Sequence, residues 1–243
     1  MKNLTQYKAL SFDCYGTLID WETGLANVLR PWSVDVGLDL DDEQLLRSYA
    51  GHEAAVMRER PSALYPELLG EALRRTGDEL GQPVSEQWAE AMGASVPDWP
   101  AFADSAEALA VLGQHYELII LSNVDRDGFA GSNKKLQGNF ATIITAEDVG
   151  AYKPAAPHFE ALFQWLRQRN IADDEVLHVA QSLFHDHVPA HQFGLDSVWI
   201  NRRHDRPGWG ATPEPEQPWS YDAQYTSMAE FAAAAEQAHS SQG

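Results

Sequence analysis

The stretch Ala9-Leu10-Ser11-Phe12-Asp13-Cys14-Tyr15-Gly16-Thr17-Leu18 decides the fold. Its first four residues make a short run without strict apolar–polar alternation, the pattern of a strand covered on both faces. Asp13 then places a carboxylate at the carboxyl end of that run, where open α/β sheets keep their ligand crevice. Gly16 permits a tight turn, and Thr17 offers its hydroxyl to the same place. Working outward, similar runs recur at residues 118–121, 175–179 and 197–200, with a shorter one at 142–144. Helix-like segments separate most of them, roughly 105–115, 157–170 and 188–193. In the second of these, Phe159, Leu162, Phe163 and Leu166 recur at helical spacing. Strand and helix alternating in this way predict a parallel sheet with right-handed crossovers.

Residues 20–97 have a different texture. They lack strand-like runs, and Leu45-Leu46, Leu68-Leu69 and Leu73 suggest amphipathic helices. The interval reads as an all-helical insertion just after the first strand, a lid over a site at the strand ends. A helical layer packed permanently on the core has the same composition. The Ala-rich tail, residues 227–243, predicts a short helix with a frayed end.

Composition narrows the function classes. The chain has 243 residues, 44% of them hydrophobic, with eight Trp, so a sizeable core is expected and disorder is not. A net charge of −19 argues against nucleic acid, whose binding depends on neutralising phosphates with Lys and Arg. It argues equally against an anionic membrane surface. The single cysteine, Cys14, excludes an internal disulfide and a Cys-ligated zinc site. The polar start and the absence of a long apolar stretch predict a cytoplasmic protein without a membrane span.

Three other strand ends carry polar groups that match Asp13. Ser122-Asn123 follows the run 118–121, Lys153 lies in Ala151-Tyr152-Lys153-Pro154, and Asp186 ends Gln181-Ser182-Leu183-Phe184-His185-Asp186. These motifs, in this order, resemble those of the haloacid dehalogenase superfamily. The resemblance covers nearly the whole chain, including a helical cap between the first and second motifs. It implies an α/β core, a Rossmann-like doubly wound parallel sheet, from residues 1–19 and 98–243, with a helical cap domain at 20–97. It makes Asp13 the nucleophile and assigns Thr17, Ser122, Lys153 and Asp186 to the remaining motif positions.

Two substitutions select a branch. Superfamily phosphatases carry a second Asp where this chain has Tyr15, and usually an Asp where it has Gln181. Phosphoryl transfer needs a cation and an acid for the leaving oxygen, whereas halide leaves carbon as a stable anion. With Tyr15-Gly16-Thr17, Ser122-Asn123 and Tyr152-Lys153-Pro154, the chain resembles the type II L-2-haloacid dehalogenases. That resemblance implies hydrolysis of a short 2-haloalkanoic acid through an aspartyl ester. Asp13 attacks, Lys153 holds it ionised, Thr17 orients it, and Asp186 positions Lys153 or the water. Ser122 and Asn123 bind the substrate carboxylate, with Tyr15, Gln181 and Ser182 beside them. No cofactor is expected, magnesium entering only if the protein is a phosphatase of the same superfamily. The expected partner is a small haloacid, and a homodimer is a candidate assembly.

The pattern departs from that family in two places: Leu183 replaces an Asn that positions water, and Phe159 replaces a Tyr. These changes are the support for a third reading, a silent small-anion-binding protein. The halide-binding Arg is expected from the cap, with Arg47 the leading candidate and Arg30 and Arg58 the alternatives. Trp21, Trp32 and Tyr65 are candidates for an apolar wall. His185, His187 and His191 around Asp186 could ligate a metal, but successive His on a turn point in different directions. His185 or His187 fits a proton-transfer or halide-facing role better. Cys14, inside a buried run, reads as packing.

Overall fold

Each apolar run of the sequence becomes a strand. The computed structural model describes residues 1–206, 211–212 and 219–241. Strand β1 (Ala9–Phe12) leads into four consecutive helices, α1 (Trp21–Asp35), α2 (Asp42–Glu59), α3 (Tyr65–Glu79) and α4 (Glu86–Gly93). Then come α5 (Ser105–Leu112), β2 (Glu117–Ser122), α6 (Arg126–Leu136), β3 (Thr142–Thr145), α7 (Ala146–Val149) and α8 (Pro157–Gln168). The chain closes with β4 (Val176–Ala180), a π-helical turn at Leu183–His187, α9 (Val188–Phe193), β5 (Ser197–Ile200), β6 (Ala223–Tyr225) and α10 (Met228–Ser240).

The strands form one parallel sheet in the order β3-β2-β1-β4-β5-β6. Successive crossovers run to one side of β1 and then to the other, so the strand order reverses between β1 and β4. That reversal opens a crevice at the carboxyl ends of the strands, beside Asp13. Alternate strand residues serve the two faces. Leu10, Phe12, Leu118, Ile120, Leu177 and Val179 join a core with α5, α10 and the α1–α4 helices. Ala9, Ile119, Leu121 and Val176 face α8, through Phe159, Leu162 and Leu166.

Local chemistry sets the element ends. Asp41 and Gln44 form a reciprocal capping box at the start of α2, and Asp20 caps α1 through the Thr23 amide. Helix α5 stops at Leu112, before the predicted 115, because Gly113 follows as C-cap. Helix α8 stops at Gln168 rather than 170, where Asn170 takes a left-handed φ of 56°. Strand β6 and helix α6 have no counterpart among the sequence expectations. The first has three residues, none fully buried, and the second carries few large apolar residues.

The α1–α4 segment leaves and rejoins the core at one neck. Ile19 pairs antiparallel with Ala101, the Asp20 amide donates to the Pro100 carbonyl at 2.8 Å, and the Phe102 amide donates to the Leu18 carbonyl at 3.1 Å. Above the neck, α1 lies directly on the buried indole of Trp99. A Cβ at Gly24 would come within 2.2 Å of that ring. Gly24→Ala is therefore expected to lower the unfolding free energy by about 1–3 kcal/mol through overpacking, read as a lower urea midpoint. Among the described residues, no helix is long and apolar enough to cross a membrane.

Candidate active site

Asp13 is fixed from three sides. Its backbone amide extends the ladder to the Val179 carbonyl at 3.1 Å. Thr17 Oγ1 donates to Asp13 Oδ2 at 2.7 Å and accepts from the Gln181 amide at 2.9 Å. That second bond leaves the Thr17 hydroxyl proton directed at Asp13. Gly16 makes the intervening turn with φ +95°, and a Cβ there would stand 2.9 Å from Gln181 Oε1 and 3.1 Å from Trp21 Nε1.

The other oxygen of Asp13 faces Lys153. Lys153 Nζ donates to Asp13 Oδ1 at 2.9 Å, Asp186 Oδ1 at 2.7 Å and the Leu121 carbonyl at 2.8 Å. Three ammonium protons thus meet three acceptors. The lysine is aimed by Asn123, whose Oδ1 accepts from the Lys153 amide at 2.7 Å and whose Nδ2 donates to the Lys153 carbonyl at 3.1 Å. Asp186, in the π-helical turn, also meets His178 Nε2 at 3.1 Å, and His178 Nδ1 meets Ser11 Oγ at 2.9 Å. Asp186 Oδ2 is buried with no partner.

Electrostatics separates the two carboxyls. Burial disfavours the Lys153 ammonium, but Asp13 and Asp186 outweigh it and the net shift is upward. Burial also opposes charge on Asp186, yet Lys153 and His178 hold that carboxyl well below the usual range. Asp13 moves the other way. Burial and the negative charge of Asp186 raise it, against Lys153 and Thr17. Asp186 is therefore the permanent counter-ion of Lys153, and Asp13 is the more basic of the pair.

Above Asp13 lies a cavity of about 60 Å³. A cavity of this size has room for a small ligand rather than a large one. Lys153, Asp186, Tyr15, Asn123, Gln181 and Ser182 border it with Asp13, as do Trp21 and Tyr65. Several candidates turn out to be committed elsewhere. The Tyr15 hydroxyl bonds Ser132 Oγ at 2.8 Å, and its ring packs edge-on against Trp99. Asn123 holds the lysine loop through Oδ1 and one Nδ2 proton, and its second amide proton is left for the cavity that it borders. Ser182 Oγ accepts from the His185 amide at 3.0 Å and caps the π-helical turn. Ser122 does not border the cavity. Its Oγ is buried and unpartnered, and its carbonyl meets His158 Nε2 at 3.1 Å.

The α1–α4 segment departs further from the sequence expectations. Arg47 is exposed and borders a neighbouring cavity of about 690 Å³, not the one holding Asp13. It lies off the buried stripe of α2, so it supplies no cradle opposite the nucleophile. Arg30 pairs with Asp42 and Arg58 is exposed. Trp32 is fully buried in the core, outside the cavity wall. From α2 the cavity receives Ala50, Glu53, Ala54 and Met57 instead. His187 is spent on Ser197 Oγ and the Ala180 carbonyl, and His191 on Ser220 Oγ. His185 does border the cavity, but burial pushes its imidazole down to about 4, so it is neutral near pH 7. The Cys14 thiol is buried and pushed well up by that burial, which leaves it a packing group. Among the described residues, no cluster of three or more His, Cys, Asp or Glu side chains could hold a metal ion.

Comparison with known proteins gives the family and the fold. The family model of haloacid dehalogenase-like hydrolases matches residues 10–200. A defluorinating L-2-haloacid dehalogenase superposes with a TM-score of 0.77 at 20% identity, covering 97% of this chain and 99% of that one. The L-2-haloacid dehalogenase from Xanthobacter autotrophicus, with chloropropionic acid covalently bound, gives 0.75 at 19% identity, covering 93% and 97%. A candidate HAD-hydrolase, YfnB from Bacillus subtilis bound to magnesium, gives 0.74 at 18%, covering 95% and 99%. No curated protein sequence matches the chain.

Proposed function

Since the chain belongs to the haloacid dehalogenase-like hydrolases, we propose that it hydrolyses short 2-haloalkanoic acids without a metal. The observation that carries this reading is the position of Lys153. Its ammonium bridges Asp13 and Asp186 with all three protons used, so the two carboxyls at the strand ends already share a counter-charge that a divalent ion would otherwise supply. Tyr15 and Gln181 stand where two further carboxylates would serve such an ion. These residues do not fit magnesium. The volume above Asp13 suits a haloacid of two or three carbons, and the apolar groups of Trp21, Met57 and Val124 line it.

In the first step an Asp13 oxygen attacks the halogen-bearing carbon. A carbon–oxygen bond forms, and the halide leaves with the electron pair of the broken bond. Water then attacks the ester carbonyl, releasing a 2-hydroxy acid and restoring Asp13. The free Oδ2 of Asp186 is the acceptor available to that water. Lys153 steadies negative charge on the Asp13 oxygens in both steps.

Chloroacetate and bromoacetate are expected to release halide at rates unchanged, within about twofold, by a chelator or by added magnesium. Ion chromatography of released halide is the measurement. Magnesium-dependent turnover of phosphate esters without halide release would replace this reading with a phosphatase.

A further inference from the structure

The cavity above Asp13 holds a third carboxyl with no role in the steps above. Glu53 lies on the buried stripe of α2 with Leu46, Tyr49 and Val56, and is 5% exposed. It borders the cavity together with Asp13 and Lys153. The Tyr65 hydroxyl donates to its Oε1 at 2.7 Å. No ion pair among the described residues reaches it. Around it stand Tyr49 of its own helix, bonded to the Leu69 carbonyl, Tyr65 of α3, and Tyr152, bonded to the Ala63 carbonyl. The same cavity is bordered by Asp13, Lys153, Asp186, Tyr15 and the neutral His185. The Arg60 guanidinium, which acts on Tyr152, is paired with Glu67.

A buried carboxyl without a cation, in a cavity already holding two carboxylates against one ammonium, takes a proton rather than a charge. Burial pushes Glu53 up to about 7, with the Tyr65 hydrogen bond working against it. Because Tyr65 occupies Oε1, the proton belongs on Oε2, where it is free to donate. Departing halide needs such a donor, and the cap places no arginine in this cavity.

On the dehalogenase reading, we propose that Glu53 is the halide donor: its Oε2–H hydrogen-bonds the halogen as the carbon–halogen bond lengthens. Asp13 supplies the electron pair of the new bond, the halogen keeps that of the broken one, and Glu53 retains its proton. Ionised Glu53 would instead turn a negative charge toward a departing anion. Halide release therefore depends on Glu53 staying protonated.

The test is the rate of the first halide burst from bromoacetate, from about pH 5 to about pH 9, in wild type, Glu53→Gln and Tyr65→Phe. Wild type is expected to lose about tenfold per pH unit above the Glu53 transition. Glu53→Gln, whose amide donates at every pH, is expected to lose that limb. Tyr65→Phe removes a bond that favours the charged form and should move the limb to higher pH. A limb that persists unchanged in Glu53→Gln overturns the proposal and leaves the dehalogenase reading standing. A wild-type rate that rises through neutrality and vanishes in Glu53→Gln overturns it in favour of a carboxylate that binds a cationic substrate group. No burst from wild type at any pH overturns the reading and the proposal together.

A second measurement needs no turnover. Folded Glu53 keeps its proton to about 7 against an ordinary value of 4.5. The folded state then binds more protons than the unfolded chain between those values. Wild-type unfolding free energy should therefore fall relative to Glu53→Gln as pH rises across that window. A constant difference across it overturns the protonated Glu53 on which the proposal stands.

Discussion

Asp13→Asn is expected to lower turnover by on the order of 10⁴–10⁶-fold, the scale of removing a covalent nucleophile. A single turnover of wild type in heavy-oxygen water should in turn label an Asp13 side-chain oxygen, read by peptide mass spectrometry. The label enters Asp13 because water attacks the ester carbonyl rather than the substrate carbon. Label confined to the hydroxy acid would mean direct displacement by water and would remove Asp13 from the nucleophile's role. The substitution is nearly isosteric, but the hydrogen bonds around it are directional. An Asn oxygen must face the Lys153 ammonium, which leaves its amide against Thr17. The Thr17 hydroxyl then loses its acceptor, since its oxygen already accepts from the Gln181 amide. That mispairing should cost about 1 kcal/mol of stability. The fold should survive it, so lost activity reports chemistry.

Lys153→Met should be nearly as damaging for a different reason. It removes the only ammonium between two buried carboxyls, 2.9 Å from one and 2.7 Å from the other. Breaking a buried ion pair on one side costs about 3–5 kcal/mol of stability, because a charge is left uncompensated. The site can relieve this only by protonating a carboxyl. Asp13, already raised by burial, is the one that yields. A protonated Asp13 is no nucleophile, so the rate of ester formation at neutral pH should drop by about 10³-fold or more. Rapid-quench measurement of the halide burst checks the rate, and thermal unfolding checks the stability. Activity in this variant should recover partly at higher pH, where Asp13 ionises again. A pH-independent loss would mean that Lys153 acts on the substrate instead.

The positions at strand ends were readable from the chain because sheet topology turns sequence order into spatial convergence. Asp13, Thr17, Lys153 and Asp186 each follow an apolar run, and a parallel sheet aligns all such ends on one edge. His178 was passed over because it lies inside a strand, Val176–Ala180, that otherwise reads as core. A signal was present: a polar side chain in a strand buried on both faces must find a partner. Here it finds Ser11 and Asp186.

Glu53 was missed for a related reason. Halide calls for a cation, which points to Arg47, and only the helical register of α2 separates that residue from Glu53. Leu46, Tyr49, Ala50 and Glu53 share the buried stripe, while Arg47 falls outside it. The clue was an acidic residue at an apolar position of an amphipathic helix. Strand β6 offered no such clue, since three half-exposed residues at a sheet edge carry no periodicity.

The neck at Ile19 and Ala101 bears on how such a protein diversifies. Departure and return of the α1–α4 segment are tied together one ladder spacing apart, by the Asp20–Pro100 and Leu18–Phe102 bonds. The core thus presents the excursion with a fixed pair of adjacent anchor points, whatever is threaded between them. Replacing the excursion leaves β1 in register, because the cost of closing a loop grows only slowly with its length. Asp13 and Lys153 lie wholly on the core side of those anchors, while Glu53 and Tyr65 lie wholly beyond them. The residues around the cavity thus come from two separately anchored stretches of chain, and a graft at this splice point would exchange Glu53 and Tyr65 while leaving Asp13 and Lys153 in place.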